Sequence, residues 1–547
     1  MTVADGPGST APAARAAAVL LCSDAVPHQP GELSPEMICD ALRRHAPDVR
    51  VFVVPDLCSR FSELPATVRA LRTGRVVVGC RQGHAKRHRI TGVLRNSGVN
   101  RAGAQVVDLT PDEGARPHDV AEQSIARLRA ALARVSHADI GGPVWESEAL
   151  GPARLSRRNL FSLDYLARRP VAGWTGERCA GRGASRACVQ ACPPQALTLA
   201  GPSISVDTAS CTGCGACVAA CRSGAMGMNG ASMAELEAAA STLVEDARRL
   251  SVGVAIVCSA ATHDIPLGGP WLALEVPSLE MVSVGWLLQV VAAGASVTTR
   301  GCRDEACEGR GRQLALLTSD IVGLVAPRLR SLVIGPDASA PACPGGDGGL
   351  AVPAPGCSSA EAEVTPRRGP FRALQFREPE ATVHALTELT DQQMPEDNQL
   401  PWRLESPLAP LGEIVIDAAR CSGCGCCVPA CPTGAISARD EPESSGLSRE
   451  ALDLQFAPAA CSACGACVPS CPEAAVSLRR AVGSSSLSFS RRTIAEVPGD
   501  DRCGSCGKLL GRRDVANVVA AKLASSHPEI ANRLRGQDRC PDCLLTV

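Results

Sequence analysis

The run Cys421-Ser-Gly-Cys424-Gly-Cys426-Cys427-Val-Pro-Ala-Cys431-Pro432 has a twin further on, Cys461-Ser-Ala-Cys464-Gly-Ala-Cys467-Val-Pro-Ser-Cys471-Pro472. Both read C-x2-C-x2-C-x3-C-P. Thiolates at that spacing hold [4Fe–4S] cubes, and in tandem the fourth cysteine of each run serves the other cube. Crossing assigns Cys421, Cys424, Cys427 and Cys471 to one cube. It assigns Cys461, Cys464, Cys467 and Cys431 to the other. Gly423, Gly425 and Gly465 let the backbone bend tightly and aim N–H groups at sulfur. Ala435-Ile436 and Ala475-Val476 read as strands closing each half, and Cys426 is a spare. Two zinc knuckles would also use eight cysteines, but zinc sites rarely take this spacing followed by proline.

The same pattern recurs earlier in imperfect form, and both regions resemble two-cluster bacterial-type ferredoxins. Cys211-x2-Cys214-x2-Cys217-x3-Cys221 keeps the spacing, with Arg222 in place of proline. Upstream, Cys179-x8-Cys188-x3-Cys192-Pro193 resembles the ferredoxin variant with an expanded loop, whose further cysteine would fall at Gly176. The resemblance, with crossing, implies a third cube on Cys211, Cys214, Cys217 and Cys192. Cys179, Cys188 and Cys221 remain as a set one ligand short. It suits a [3Fe–4S] cluster, or a [4Fe–4S] cube with a non-cysteine ligand, or no cluster; an occupied site is expected.

The chain has 547 residues, 45% hydrophobic and only 2% aromatic, so several modules with cores of Ala, Val and Leu are expected. A net charge of −1 without a long basic tract argues against nucleic acid as a partner. Lys86-Arg87-His88-Arg89 reads as a solvated turn. Most of the 29 cysteines sit in groups at cluster or zinc spacing, which points to a reducing compartment, the cytoplasm. Cys22 after Leu20-Leu21 resembles a lipoprotein cleavage site only faintly. No apolar run approaches the ~18 residues of a membrane span.

Two segments read as copies of one parallel α/β unit. In the first, strands end at Cys22, Pro55 and Cys80, with helices at Pro35–Arg44 and Thr67–Arg72. In the second, strands end at Cys258, Pro277 and Gly301-Cys302, with a helix at Val284–Ala293. The interval from Pro55 to Cys80 equals that from Pro277 to Cys302. Sites in such sheets form at the carboxyl ends of the strands. With Gly301-Cys302-x4-Cys307, the second copy resembles the small iron–sulfur (delta) subunits that link hydrogenases to heterodisulfide reductase. The resemblance covers roughly 250–325 and, more weakly, 15–140. It implies a [2Fe–2S] cluster on Cys258, Cys302 and Cys307, and redox partners of the hydrogenase or heterodisulfide-reductase type. Two departures stand against it. Glu280 replaces a family cysteine that the first copy keeps as Cys58, and the first copy has Ala85 where the second has Cys307.

Cys503-x2-Cys506 and Cys540-x2-Cys543 suit one tetrahedral Zn²⁺ or a single iron, and zinc is expected. Their knuckles are similar to those of rubredoxin, but no aromatic residue lies between them to build a rubredoxin core. The expected fold is α/β plus α+β, in several domains. These are an α/β unit at 14–140, a seven-cysteine ferredoxin-like unit at 170–230, an α/β unit at 250–336, a linker at 337–369, a two-cluster unit at 411–480 and a four-cysteine zinc module at 498–547. A helix over Met233–Leu250 follows the seven-cysteine unit, and Cys343 and Cys357 of the linker are incidental. There is no Gly-rich nucleotide signature, and the nine histidines are scattered. The expected function is electron relay from a low-potential donor to a partner oxidoreductase. The alternatives are a catalytic oxidoreductase subunit with its substrate site in the α/β units, and an iron–sulfur redox sensor. No acid–base set and no DNA-reading helix support either.

Overall fold

The computed structural model describes residues 17–23, 35–57, 61, 63–100, 102–138, 140, 148–150, 168–176, 179, 187–200, 203–221, 225–228, 231–302, 304–335, 373–376, 379–391, 401–439, 451–498, 503–505, 527–529, 532 and 543. The fold is mixed α/β, with parallel and antiparallel sheets in separate units.

The first unit runs β1 (Ala18–Cys22), α1 (Pro35–His45), β2 (Arg50–Val54), α2 (Leu64–Leu71), β3 (Val76–Cys80), α3 (Gly83–Asn96), β4 (Ala104–Asp108) and α4 (Pro117–Ser136). Its sheet is parallel, in the order β2-β1-β3-β4. Unbroken apolar runs make β1 and β3 its centre, because both of their faces are covered. β4 adds a strand that the sequence pattern did not announce; only Val106 and Asp108 of it are buried, so no apolar run marks it.

A short hairpin of β5 (Glu148–Leu150) and β6 (Arg168–Pro170) leads into the seven-cysteine region. There β7 (Ala172–Trp174), α5 (Ala187–Gln190), β8 (Leu197–Ala200), β9 (Ser203–Val206), α6 (Ala216–Ala220) and β10 (Met226–Met228) follow in turn. β7 pairs with β10 and β8 with β9, both antiparallel. Helix α7 (Met233–Leu250) starts with a reciprocal cap. Ser232 Oγ accepts from the Glu235 N–H, and Glu235 Oε1 accepts from the Ser232 N–H.

The second α/β unit comprises β11 (Gly253–Cys258), β12 (Trp271–Val276), α8 (Val284–Ala292), β13 (Val297–Arg300) and α9 (Glu305–Val325). Its parallel order β12-β11-β13 repeats the β2-β1-β3 order of the first. Its fourth strand is reduced to one parallel bridge from Val297 to Val333, where β3 pairs with β4 in the first unit. Helix α10 (Pro379–Asp391) packs on α8, with Thr382 seated against Gly285. The last unit consists of β14 (Arg403–Glu405), β15 (Gly412–Ile416), β16 (Ile436–Arg439), β17 (Ala451–Phe456), α11 (Cys467–Ser470), β18 (Val476–Gly483) and β19 (Arg492–Pro498). It repeats the two antiparallel pairings, β15 with β18 and β16 with β17; β14 and β19 extend them.

One hydrophobic core joins the seven-cysteine region, the second α/β unit and α10 to Leu411, Ala459 and Val482 of the last unit. The two α/β units lock along α4, which packs on α7 and on β12. Gln123 spans the joint: its amide donates to Gly269 O at 2.7 Å and accepts from the Gly268 N–H at 2.9 Å. Lys86–Arg89 is not a solvated turn but part of α3. Arg87 there forms a largely buried ion pair with Glu275 of β12, and Arg89 covers the Phe61 ring at 4.1 Å. The turn reading failed because a basic cluster carries no sign of the carboxylate that a remote strand brings to it.

Replacing Arg87 with Ala removes its guanidinium from the Glu275 carboxylate at this joint. Removing one partner of a buried ion pair costs about 3 kcal/mol. Amide exchange of the full chain should show the loss as faster opening of α3 and β12; unchanged protection there would contradict it.

Candidate metal centres

In the last unit the chain enters each cysteine loop from a strand. The turn after β15 is held by Asp417, whose Oδ1 accepts from the Ala419 N–H at 3.0 Å while its carbonyl accepts from the Cys421 N–H at 2.9 Å. Gly423, Gly425 and Gly465 then take left-handed φ values of 70°, 68° and 75°. Beyond Cys431-Pro432 and Cys471-Pro472 the chain turns left-handed again, at Gly434 and Ala474. The second of these turns aims the Ala475 N–H at Cys471 Sγ, at 3.2 Å.

These turns bring the two motifs together crosswise. Cys431, Cys461, Cys464 and Cys467 line one cavity of about 290 Å³, closed by Ile414, Ile436, Phe456 and Leu478. The buried Ser462 hydroxyl in its wall has no protein partner. Burial pushes the Cys461 and Cys467 thiols up to about 12, and the charges of Cys464 and Cys431 add to both shifts. On the other side, burial raises Cys421, with Cys424 and Cys471 adding charge, and takes Cys427 up to about 12. Cys426, the spare, lies beside Cys424, where its S–H favours the Cys424 thiolate and lowers that thiol to about 6. Four thiolates sharing one dry cavity repel each other unless cations hold them, so the donor set and its walls fit a thiolate-ligated cluster. Binding must displace protons from the raised thiols, so iron affinity rises with pH.

The seven-cysteine region repeats the arrangement. Cys192, Cys211, Cys214 and Cys217 line a cavity of about 300 Å³ with Ala172, Ala196, Leu197 and Met228. Burial takes Cys217 up to about 12, and Cys214, Cys211 and Cys192 are its nearest charges. The Ala196 N–H donates to Cys192 Sγ at 3.3 Å. Asp207 holds the turn before Cys211 in the manner of Asp417. The incomplete set is also assembled: burial takes Cys188 up to about 11, with Cys221 and Cys179 adding charge.

Strand register moves the missing ligand. Trp174 pairs with Met226, five residues after Cys221, as Ile416 pairs with Val476, five after Cys471. The Thr175 N–H reaches Ala225 O at 2.9 Å, as the Asp417 N–H reaches Ala475 O at 2.9 Å. Cys179 therefore matches Cys421, the first ligand position. The absent ligand is the counterpart of Cys424, between Cys179 and Cys188, and not Gly176. Sequence spacing missed this because the enlarged loop has no internal marker.

In the second α/β unit, Cys258, Cys302 and Cys307 converge with their sulfurs all within 4.8 Å of one another. Cys258 ends β11, Cys302 follows β13, and Cys307 lies in the first turn of α9, which is capped by Asp304. The site is at the point where the strand order reverses, the usual ligand crevice of such sheets. Hydrogen bonds from the Cys258 S–H, the Leu279 and Cys302 N–H groups and the Ser278 hydroxyl lower Cys307 to about 5. One metal ion bonded to thiolates at about 2.3 Å needs sulfurs about 3.8 Å apart, so the trio fits three corners of such a tetrahedron. Glu280 is half-buried nearby, raised by burial and by the charge of Cys307. In the first unit Cys22 and Cys80 are buried at the matching strand ends, and Cys58 lies outside the described residues. Cys503 and Cys543 are described, but Cys506 and Cys540, like Cys343 and Cys357, lie outside the described residues.

Residues 420–475 match the family described as the 4Fe-4S dicluster domain, and residues 204–226 match the 4Fe-4S binding domain. The chain contains two 4Fe-4S ferredoxin-type domains. The second match covers Cys211–Cys221 and stops short of the expanded loop. No curated protein matches the chain significantly. Among the described residues no helix is long and apolar enough to cross a membrane.

Sequence reasoning missed Asp207 and Asp417; their shared position four residues before a first cysteine was the available signal. It also missed the role of Ser278 and Leu279 at Cys307, for which no sequence signal exists.

Crossing makes a sharp test. Cys431→Ser should remove about four iron atoms from the set completed by Cys461, Cys464 and Cys467, and spare the cube of its own motif. Mössbauer spectra of Cys431→Ser and Cys471→Ser that lose the same cube would contradict it.

Proposed function

We propose that this protein relays electrons through several iron–sulfur clusters, from a low-potential donor to a partner oxidoreductase of the hydrogenase or heterodisulfide-reductase kind. An iron–sulfur electron-transfer role follows from the two ferredoxin-type domains. The identity of the partner rests on the delta-subunit resemblance alone. The observation that carries the reading is the pair of cavities, each walled by four cysteines drawn crosswise from two motifs.

The proposed ligand sets are Cys421, Cys424, Cys427 and Cys471; Cys461, Cys464, Cys467 and Cys431; and Cys211, Cys214, Cys217 and Cys192. Cys179, Cys188 and Cys221 would hold a further [3Fe–4S] or [4Fe–4S] cluster. A cluster in such a site supplies one-electron storage at a potential set by charge, solvent exposure and hydrogen bonds to sulfur. The protein's part is electrostatic. The N–H groups of Ala196 and Ala475 donate to ligand sulfurs and favour the reduced, more negative state. Apolar walls such as Phe456, Leu478, Leu197 and Met228 keep water from the sulfurs. Cys258, Cys302 and Cys307 would carry thiolate-bound iron, [2Fe–2S] by the resemblance. Cys503, Cys506, Cys540 and Cys543 would bind Zn²⁺, and the cytoplasm is the compartment that suits so many reduced, metal-ligating cysteines.

Anaerobically prepared protein should contain at least about twelve iron and twelve sulfide per chain, four of each per cube. Cys192→Ser should remove one cube and leave the later pair intact. About eight of each in the unaltered protein would strip the earlier domain of its role.

A further inference from the structure

The cysteine trio of the second α/β unit is wedged between the two ferredoxin-type domains. On one side, Gly215 stands between the ligand candidates Cys214 and Cys217. A Cβ placed on Gly215 would come 2.7 Å from Cβ of Met281, so only glycine allows this approach. Met281 ends the 3-10 turn Leu279–Met281, which packs on α6. The N–H at the other end of this turn, that of Leu279, bonds to Cys307 Sγ. Such a turn rises about 2 Å per residue, so a three-residue turn on the order of 6 Å long links Cys307 to Gly215 of the Cys192–Cys217 site.

On the other side, Arg310, one turn beyond Cys307 on α9, faces Arg480 of β18. Helix α10 packs against α8 and α9, and also against Pro458–Ala460, the turn that delivers Cys461. Ala459 of that turn belongs to the same core as the trio's β11 and β13 strands.

We propose that Cys258, Cys302 and Cys307 hold a redox-active iron group through which electrons cross between the two ferredoxin-type domains. This rests on the cubes being present as read above. Iron held by Cys258, Cys302 and Cys307 would be reduced as the group at one domain is oxidised, and would be oxidised again as it passes that electron to the group at the other domain. No bond forms or breaks and no proton moves within the chain; an external low-potential donor supplies the electron.

The test uses the full chain, loaded anaerobically with ferrous iron and sulfide, and the double variant Cys258→Ser/Cys307→Ser. The variant should lose iron at the trio while the Mössbauer signals of the cubes persist. After photoreduction with a deazaflavin, electron exchange between the domains should be lost on the wild-type timescale. The magnetic relaxation enhancement of the Cys192–Cys217 cube should be lost with it. Unchanged iron content, zinc at the trio, or unchanged exchange would overturn the proposal and leave the cubes standing. A wild-type chain without cube signals would instead overturn the reading beneath it. Should the double variant fail to fold, Cys302→Ser at the half-buried edge of the site gives the same readouts.

Discussion

Cys431 and Cys471 each end one motif and lie with the first three cysteines of the other, so neither half of the C-terminal unit can complete a ligand set alone. Much else follows from that exchange. The two halves must meet face to face, which the antiparallel pairs β15·β18 and β16·β17 enforce. The chain must reverse sharply after each fourth cysteine, which places Gly434 and Ala474 in the left-handed region. Burial in one apolar cavity keeps several of these thiols protonated, so a metal must displace those protons, and once bound it ties the two halves together. Folding and loading are therefore expected to be coupled. The earlier domain obeys the same constraint with one ligand fewer, through Cys192 on one side and Cys221 on the other.

The α/β units give these domains a fixed setting. Their cores are aliphatic, with Val, Leu, Ile and Ala in the central strands, and Trp286 stacked on Phe376 at 4.2 Å is a rare aromatic pair. The joint between them is polar. Arg129 meets Asp246, Arg87 meets Glu275, and Arg127 donates to Ile265 O at 2.6 Å. Such contacts fix orientation more than they add stability. Rigid placement matters for a relay, because transfer between centres falls off steeply with separation.

Much of this architecture was legible in the sequence. The two cysteine motifs marked their domains because cluster ligation demands fixed spacing. The strands ending at Cys22, Cys80 and Cys258 were legible because parallel strands covered on both faces read as unbroken apolar runs. The half-exposed β4 left no such trace, nor did α10, which follows the Pro- and Gly-rich stretch at 337–369. Arg87 looked like a surface charge because its partner lies 188 positions away. The position of the absent ligand in the earlier domain needed strand register, which loop length conceals. The proximity of Gly215 to Met281 is likewise a property of packing alone.

The most direct measurement is a reductive titration of the full-length protein followed by EPR. Paired cubes a short distance apart interact magnetically, so full reduction should give the broad, split envelope of coupled [4Fe–4S]⁺ centres, with further reducible iron from the earlier domain. Sharp signals from isolated centres, or none, would contradict a relay built from crossed cubes.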